Sequence, residues 1–238
     1  MPAVLLMGMS KSGFGAGFGA LAVPLMALAM PVPQAAAIML PLLAVMDGLG
    51  LAALWRERDR ALIRLLLPAG LVGTVLGTVL FGWLSAPVVA SLVGALTLAF
   101  LAIRRFFPPR RDAPPPPPRW LGWLLGMTSG FTSFVAHAGS PPIGFYVMPL
   151  KLSPVTFTAT MAVFFAAINA SKWVPYWWLG LIDTTNLLAS AVLLPLAPIG
   201  VWLGVRIVRI IPPRLFYGLF ELGMLFTGLK LLWDGVQG

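Results

Sequence analysis

The chain has 238 residues, 59% of them hydrophobic and only 10% charged, with a formal net charge of +9. Soluble domains carry roughly 25% charge, so this composition, with a mean hydropathy of +0.94, excludes an ordinary water-soluble enzyme and points to an integral membrane protein. The basic excess sits in arginine clusters at the ends of apolar runs, where it orients a membrane protein rather than binding nucleic acid, and zero cysteines exclude disulfides and thiolate metal sites.

In chain order the apolar segments are 3–29, 34–54, 62–82, 88–106, 120–150, 153–173, 183–205 and 213–233. Most approach the 20 or so residues that carry a helix across a 30 Å hydrocarbon core. No cleavable signal peptide is expected, because the N-terminus lacks a basic n-region. The first segment holds "SKSGFGAGFGALAVP", residues 10–24. It is not a nucleotide loop: Lys11 precedes Gly13, Gly15, Gly17 and Gly19 instead of following them, and no strand leads in. Glycines at that spacing break a regular helix and let backbones approach closely.

The longest polar interruption, "RRFFPPRRDAPPPPPR" at 104–119, contains five consecutive prolines and reads as a stiff polyproline II linker. It divides the chain into two halves, 1–106 and 120–238, joined by a cytoplasmic linker at 107–119. The halves resemble each other. At an offset of 117, Gly13-Phe14 falls on Gly130-Phe131 and Pro24 on Pro141; at 122, Asp47 falls on Asn169. At 127, Pro68 falls on Pro195, Gly73 on Gly200 and Gly77 on Gly204. Drifting offsets in a common order are what an old duplication leaves, and internal repeats in an all-helical membrane protein point to a transporter.

Two arrangements fit the segments. With eight full spans the repeats are parallel, and the basic residues split about eleven to four between the two faces. With the first segment of each half re-entrant, three spans remain per half and the repeats are inverted. Thirteen of the 16 basic residues, Arg56 to Arg64, Arg104 to Arg119, Lys151, Arg206, Arg209 and Arg214, then share one face. The positive-inside rule favours this second arrangement, with that face cytoplasmic. The expected fold is therefore an all-α polytopic membrane protein of six spans and two broken first helices.

Lys11 then lies near mid-membrane, since nine helical residues rise about 14 Å, and lysines at depth are costly and functional. In the second half, Ser140 before Pro141 and Pro142 reads as an N-cap with proline at N1. Helix starts near Ser12 and Ser140 are expected to turn free N–H groups toward an anion. Ser12, Gly13, Thr132, Ser133, Ser140 and Asn169 complete the expected substrate-binding set with Lys11, His137 and Lys172. Lys172 sits near the outer end of its segment and is expected to attract anions at the external mouth. Asp47 is expected to pair with Lys11 or Lys172, and Asp47 or His137, the single histidine, to carry a coupling proton. Gly73/Gly77 and Gly200/Gly204 are small-x-x-x-small pairs for close helix packing, and Trp173, Tyr176, Trp177 and Trp178 read as an interfacial aromatic belt. No metal site is expected, because no second histidine or cysteine completes one, and no cofactor either.

"SKSGFGAGFGALAVP", "LPLLAVMDGLGLAALWR", "GFTSFVAHAGSPP" and "FFAAINASKWVPYWWLG" together resemble the sulfite exporter TauE/SafE family, over nearly the whole chain. The resemblance implies a bacterial inner-membrane permease, not an enzyme, that moves small sulfur-containing anions such as sulfite or organosulfonates on an ion gradient. Its partners would be the anion and membrane lipid, with no nucleic acid; a homo-oligomer is compatible. An anion channel, a permease for a carboxylate-type anion and an intramembrane enzyme are the alternatives. The enzyme is the weakest, since one histidine without a partner supplies no nucleophile–base set.

Overall fold

The computed structural model describes residues 2–13, 26, 32–81, 83, 85–106, 116–180 and 182–237, all helix or connecting turn. The glycines at 15, 17 and 19, Phe14, Pro24 and most of the Pro-rich linker lie outside these residues. The described helices are α1 (Pro2–Gly13), α2 (Val32–Leu54), α3 (Arg60–Leu80), α4 (Ala86–Phe106), α5 (Arg119–Ala136), α6 (Ser140–Val147), α7 (Pro154–Trp178), α8 (Thr184–Leu193), α9 (Leu196–Ile210) and α10 (Pro213–Gln237).

Local chemistry sets the boundaries. Asp59 caps α3, its carboxylate accepting from the N–H groups of Ala61 (2.8 Å) and Leu62 (3.0 Å). Ser153 caps α7 just before Pro154, and Asp183 caps α8 through the N–H of Asn186. Each satisfies donors that a helix start leaves without partners. Pro118, with φ −63° and ψ 147°, is in the polyproline II conformation and leads into α5.

Among the described residues, four helices are long and apolar enough to cross a membrane: Ala37–Glu57, Arg60–Leu80, Pro154–Trp178 and Pro213–Val236. A fifth span results if α8 and α9, bent by 49°, count as one, and Pro87–Ile103 is a shorter apolar helix. That bend corrects the expectation of one continuous segment over 183–205. Pro195 and Pro198 remove two N–H donors within four residues, and their rings clash with the preceding turn. Large apolar side chains such as Val75, Leu92, Leu188 and Trp202 face outward, as lipid contact requires.

The helices pair through glycines. Gly8 lies on Gly200 and Gly13 on Gly204, so α1 runs parallel to α9. Gly122 lies beside Leu65, Gly126 beside Leu66, and Gly77 beside Phe134, so α3 runs parallel to α5. Arg209, at the C-terminal end of α9, donates to the carbonyl of Ala53 (3.0 Å) at the C-terminal end of α2. α9 therefore ends where α3 begins, and α1 and α5 enter the bundle from opposite ends. α4 and α10 close against each other at Gly94 and Gly228.

Past α5 the chain turns back. His137, at φ 52°, occupies the left-handed region, and its N–H bonds the Ser133 carbonyl (3.2 Å), which terminates the helix. α6 then returns alongside α5, and the Tyr146 hydroxyl donates to the Pro117 carbonyl (3.3 Å) at the hairpin's mouth.

Candidate functional site

Four helices bring a polar row into the centre of the bundle. Lys11, in the last turn of α1, forms an ion pair with Asp47 of α2. The other Asp47 oxygen accepts from the Asn169 amide of α7 at 2.9 Å. Asn169 Oδ1 in turn accepts from Lys172 Nζ (3.4 Å), which also donates to the Ser133 carbonyl (2.7 Å) and hydroxyl (2.8 Å) on α5. Asn169 has a dictated orientation. Its NH₂ must face the acceptor-only carboxylate, and its oxygen the donor-only ammonium.

All five groups are buried, and Lys172 is 0% exposed. Burial of an ammonium or carboxylate is tolerated only with partners. Lys172 has three acceptors for its three N–H bonds, whereas Asp47 supplies one oxygen to Lys11 and one to Asn169. Among the described residues the buried lysines and carboxylates are Lys11, Lys172 and Asp47, and the sequence from 14 to 31 contains no ionisable residue. Two ammonium groups thus face one carboxylate.

Several expectations are corrected by this geometry. Lys172 is not at an external mouth: α7 continues to Trp178, so six more residues, about 9 Å of helix, lie beyond it. Ser12 and Gly13 are the last described residues of a helix that begins at Pro2, so they do not start one. Gly139, not Ser140, is the N-cap of α6; Ser140 is its first residue and is buried. The Thr132 hydroxyl is directed at backbone carbonyls, those of Thr128 (2.9 Å) and Ala138 (3.0 Å) among them, and fastens the turn. Tyr176 leaves the aromatic belt for the core, edge-on to Phe134 at 5.5 Å, while Trp177 and Trp178 are exposed as a belt requires.

His137 is 8% exposed, and its Nε2 has no hydrogen-bond partner among the described residues. Its ring lies 6.2 Å from that of Tyr176. Ser129 was not a candidate from sequence, yet its hydroxyl donates to the Gly139 carbonyl (2.6 Å) and locks the break between α5 and α6. Nothing in the spacing of Ser129 announces this contact, because it depends on the chain doubling back. No group of three or more histidine, cysteine, aspartate or glutamate side chains that could hold a metal occurs among the described residues.

Comparison with curated proteins and with solved structures yields no match. A family model described as sulfite exporter TauE/SafE matches residues 1–231. With its long apolar helices this makes the chain a multi-pass membrane protein, and it belongs to the sulfite exporter TauE/SafE family.

Proposed function

We propose that this protein is a secondary transporter of small sulfur-containing anions, of the sulfite or organosulfonate class, driven by an ion or proton gradient. The observation that carries the reading is the buried pair of ammonium groups with a single carboxylate between them. An unmatched positive charge in an apolar bundle is expensive, and a bound anion offsets it. The substrate set is Lys11, Ser12, Gly13, Ser133, His137, Ser140, Asn169 and Lys172, with Thr132 holding the turn.

The repeats, 1–106 and 120–238 joined by the linker at 107–119, are inverted in this reading. Entry of α1 and α5 from opposite ends supports it, as does the α5–α6 hairpin closed by Tyr146 on Pro117. Six spans follow if Pro87–Ile103 and the bent α8–α9 pair each cross. Transport proceeds by alternating access, one repeat rocking against the other around the central row. The arginine-bearing ends face the cytoplasm of a bacterial inner membrane.

The test is uptake by purified protein in proteoliposomes, with labelled sulfite, sulfonates and carboxylates, with and without a pH gradient. Gradient-accelerated uptake and counterflow of one sulfur anion are expected. Conductance without counterflow would instead mean a channel, and no anion moving in folded protein would overturn the reading.

His137→Asn separates the coupling step from the fold, because asparagine tolerates the left-handed conformation found there. The variant is expected to fold and to lose acceleration by the pH gradient. Acceleration that persists assigns the proton to Asp47.

A further inference from the structure

The two halves deliver one ammonium each to the central row, by different routes. The offset of 122 that relates Asp47 to Asn169 also relates Lys11 to Ser133 and Gly50 to Lys172. Helix packing corrects the sequence offset of 117 to 122 for the entering helices: a Cβ on Gly200 would meet the Leu5 carbonyl and Met9 nitrogen, and one on its counterpart Gly73 the Met127 carbonyl and Phe131 nitrogen. The first half thus has lysine at the end of its entering helix and glycine on the facing span. The second half has serine at the end of its entering helix and lysine on the facing span. The contacts follow the same exchange. Lys11 reaches from α1 to Asp47, whereas Lys172 reaches from α7 to Ser133 on α5. Gly50 faces α1 as Lys172 faces α5: a Cβ on Gly50 would stand 3.6 Å from the Ser12 hydroxyl. Read along its bonds, the row Lys11, Asp47, Asn169, Lys172 is symmetric about the Asp47–Asn169 contact.

A lysine whose task is only to tie α7 to α5 has no reason to repeat the first half's charge at the related place. We infer that Lys172 is the counterpart of Lys11 in a two-ammonium clamp, and that the clamp selects singly charged anions, a sulfonate in preference to a sulfate or disulfonate. The charge count sets the class. Two ammonium groups and one carboxylate leave one positive charge to be matched, and Asn169, standing where a second carboxylate would abolish it, preserves that charge. The inference rests on the anion-transport reading and deepens it.

The experiment measures binding of methanesulfonate to full-length protein, by ligand-induced thermal stabilisation, with sulfate and ethane-1,2-disulfonate as competitors. Lys172→Gly is expected to weaken binding about tenfold or more, the value of one charge-assisted hydrogen bond. Adding Ser133→Lys to Lys172→Gly moves the ammonium to the position related to Lys11. It is expected to restore binding to within about threefold of the parent. A folded relocated variant that binds no better than Lys172→Gly shows a tether and overturns the clamp. Should the relocated variant not fold, Asn169→Asp decides, because it is nearly isosteric and removes the unmatched charge. It is expected to weaken methanesulfonate binding by about tenfold or more, and binding at the parent level overturns the inference. Equal competition by the dianions overturns the charge selectivity. These outcomes leave anion transport itself standing, whereas a parent protein that neither binds nor transports any anion overturns the functional reading and this inference with it.

Discussion

Lys11→Ala is expected to abolish anion uptake and to destabilise the folded protein by about 3–5 kcal/mol, the cost of leaving a buried carboxylate without its cation. The structural and functional consequences can be separated. Asp47 accepts from Lys11 and from the Asn169 amide, so removing the lysine strands one oxygen while Asn169 still holds the other. Adding Asp47→Asn to Lys11→Ala removes the stranded charge and is expected to recover most of the stability, read by thermal unfolding. Uptake should stay absent in the double variant, because the ammonium proposed to meet the anion is still missing. Full transport of every anion substrate by Lys11→Ala would remove the central claim about the site. A double variant that recovers uptake along with stability would reduce Lys11 to an anchor for Asp47.

The central row was partly legible in the sequence. Asp47 and Asn169 could be matched because each is a polar residue standing inside an apolar segment, and the two side chains meet at 2.9 Å. Lys11 stood out because a lysine inside an apolar run demands a partner, and of the two lysines expected to pair with Asp47, Lys11 or Lys172, it is Lys11 that does so. Lys172 was misplaced for a specific reason. Hydropathy ends the segment at 173, but the helix goes on through Pro175 and two exposed tryptophans to Trp178. Amphipathic aromatic residues lower the hydropathy of a span without ending it. Tyr176 was drawn into the belt by the same composition, although its ring turns inward to Phe134 and His137.

The breaks were less legible than the spans. Pro68 and Pro195 align, yet Pro68 lies inside the continuous α3 while Pro195 separates α8 from α9. A lone proline removes one hydrogen bond, and a helix in a bundle tolerates that; Pro198 adds a second loss one turn later. The small-x-x-x-small pairs announced close packing and are packed closely, but not with each other. Gly73 meets α5 and Gly200 meets α1, each across to the other half of the chain. Spacing shows that a helix can be approached; it holds nothing about which neighbour approaches.

That crossed packing yields the second large effect. A Cβ on Gly73 would overlap the Met127 carbonyl oxygen, and one on Gly130 would overlap the Gly70 carbonyl oxygen. Both obstacles are backbone, so no side chain can swing away and α3 and α5 must separate. Gly73→Ala and Gly130→Ala are each expected to destabilise the protein by about 1–3 kcal/mol, the range for an overpacked contact, and Gly73→Leu by more. Gly48→Ala and Gly218→Ala supply the internal control. Both glycines are helical with nothing within 4 Å of the added carbon. There the substitution should be neutral or stabilise by about 0.5–1 kcal/mol through helix propensity. Thermal unfolding in detergent reads all five, and equal behaviour of Gly73→Ala and Gly48→Ala would mean that α3 and α5 are not in backbone contact. The consequence reaches the site, because α5 carries Ser133, whose carbonyl and hydroxyl hold Lys172 at 2.7 and 2.8 Å. Pushing α5 off α3 moves those acceptors relative to α7, so Gly73→Ala should also weaken anion binding, whereas Gly218→Ala, on α10, should leave it unchanged.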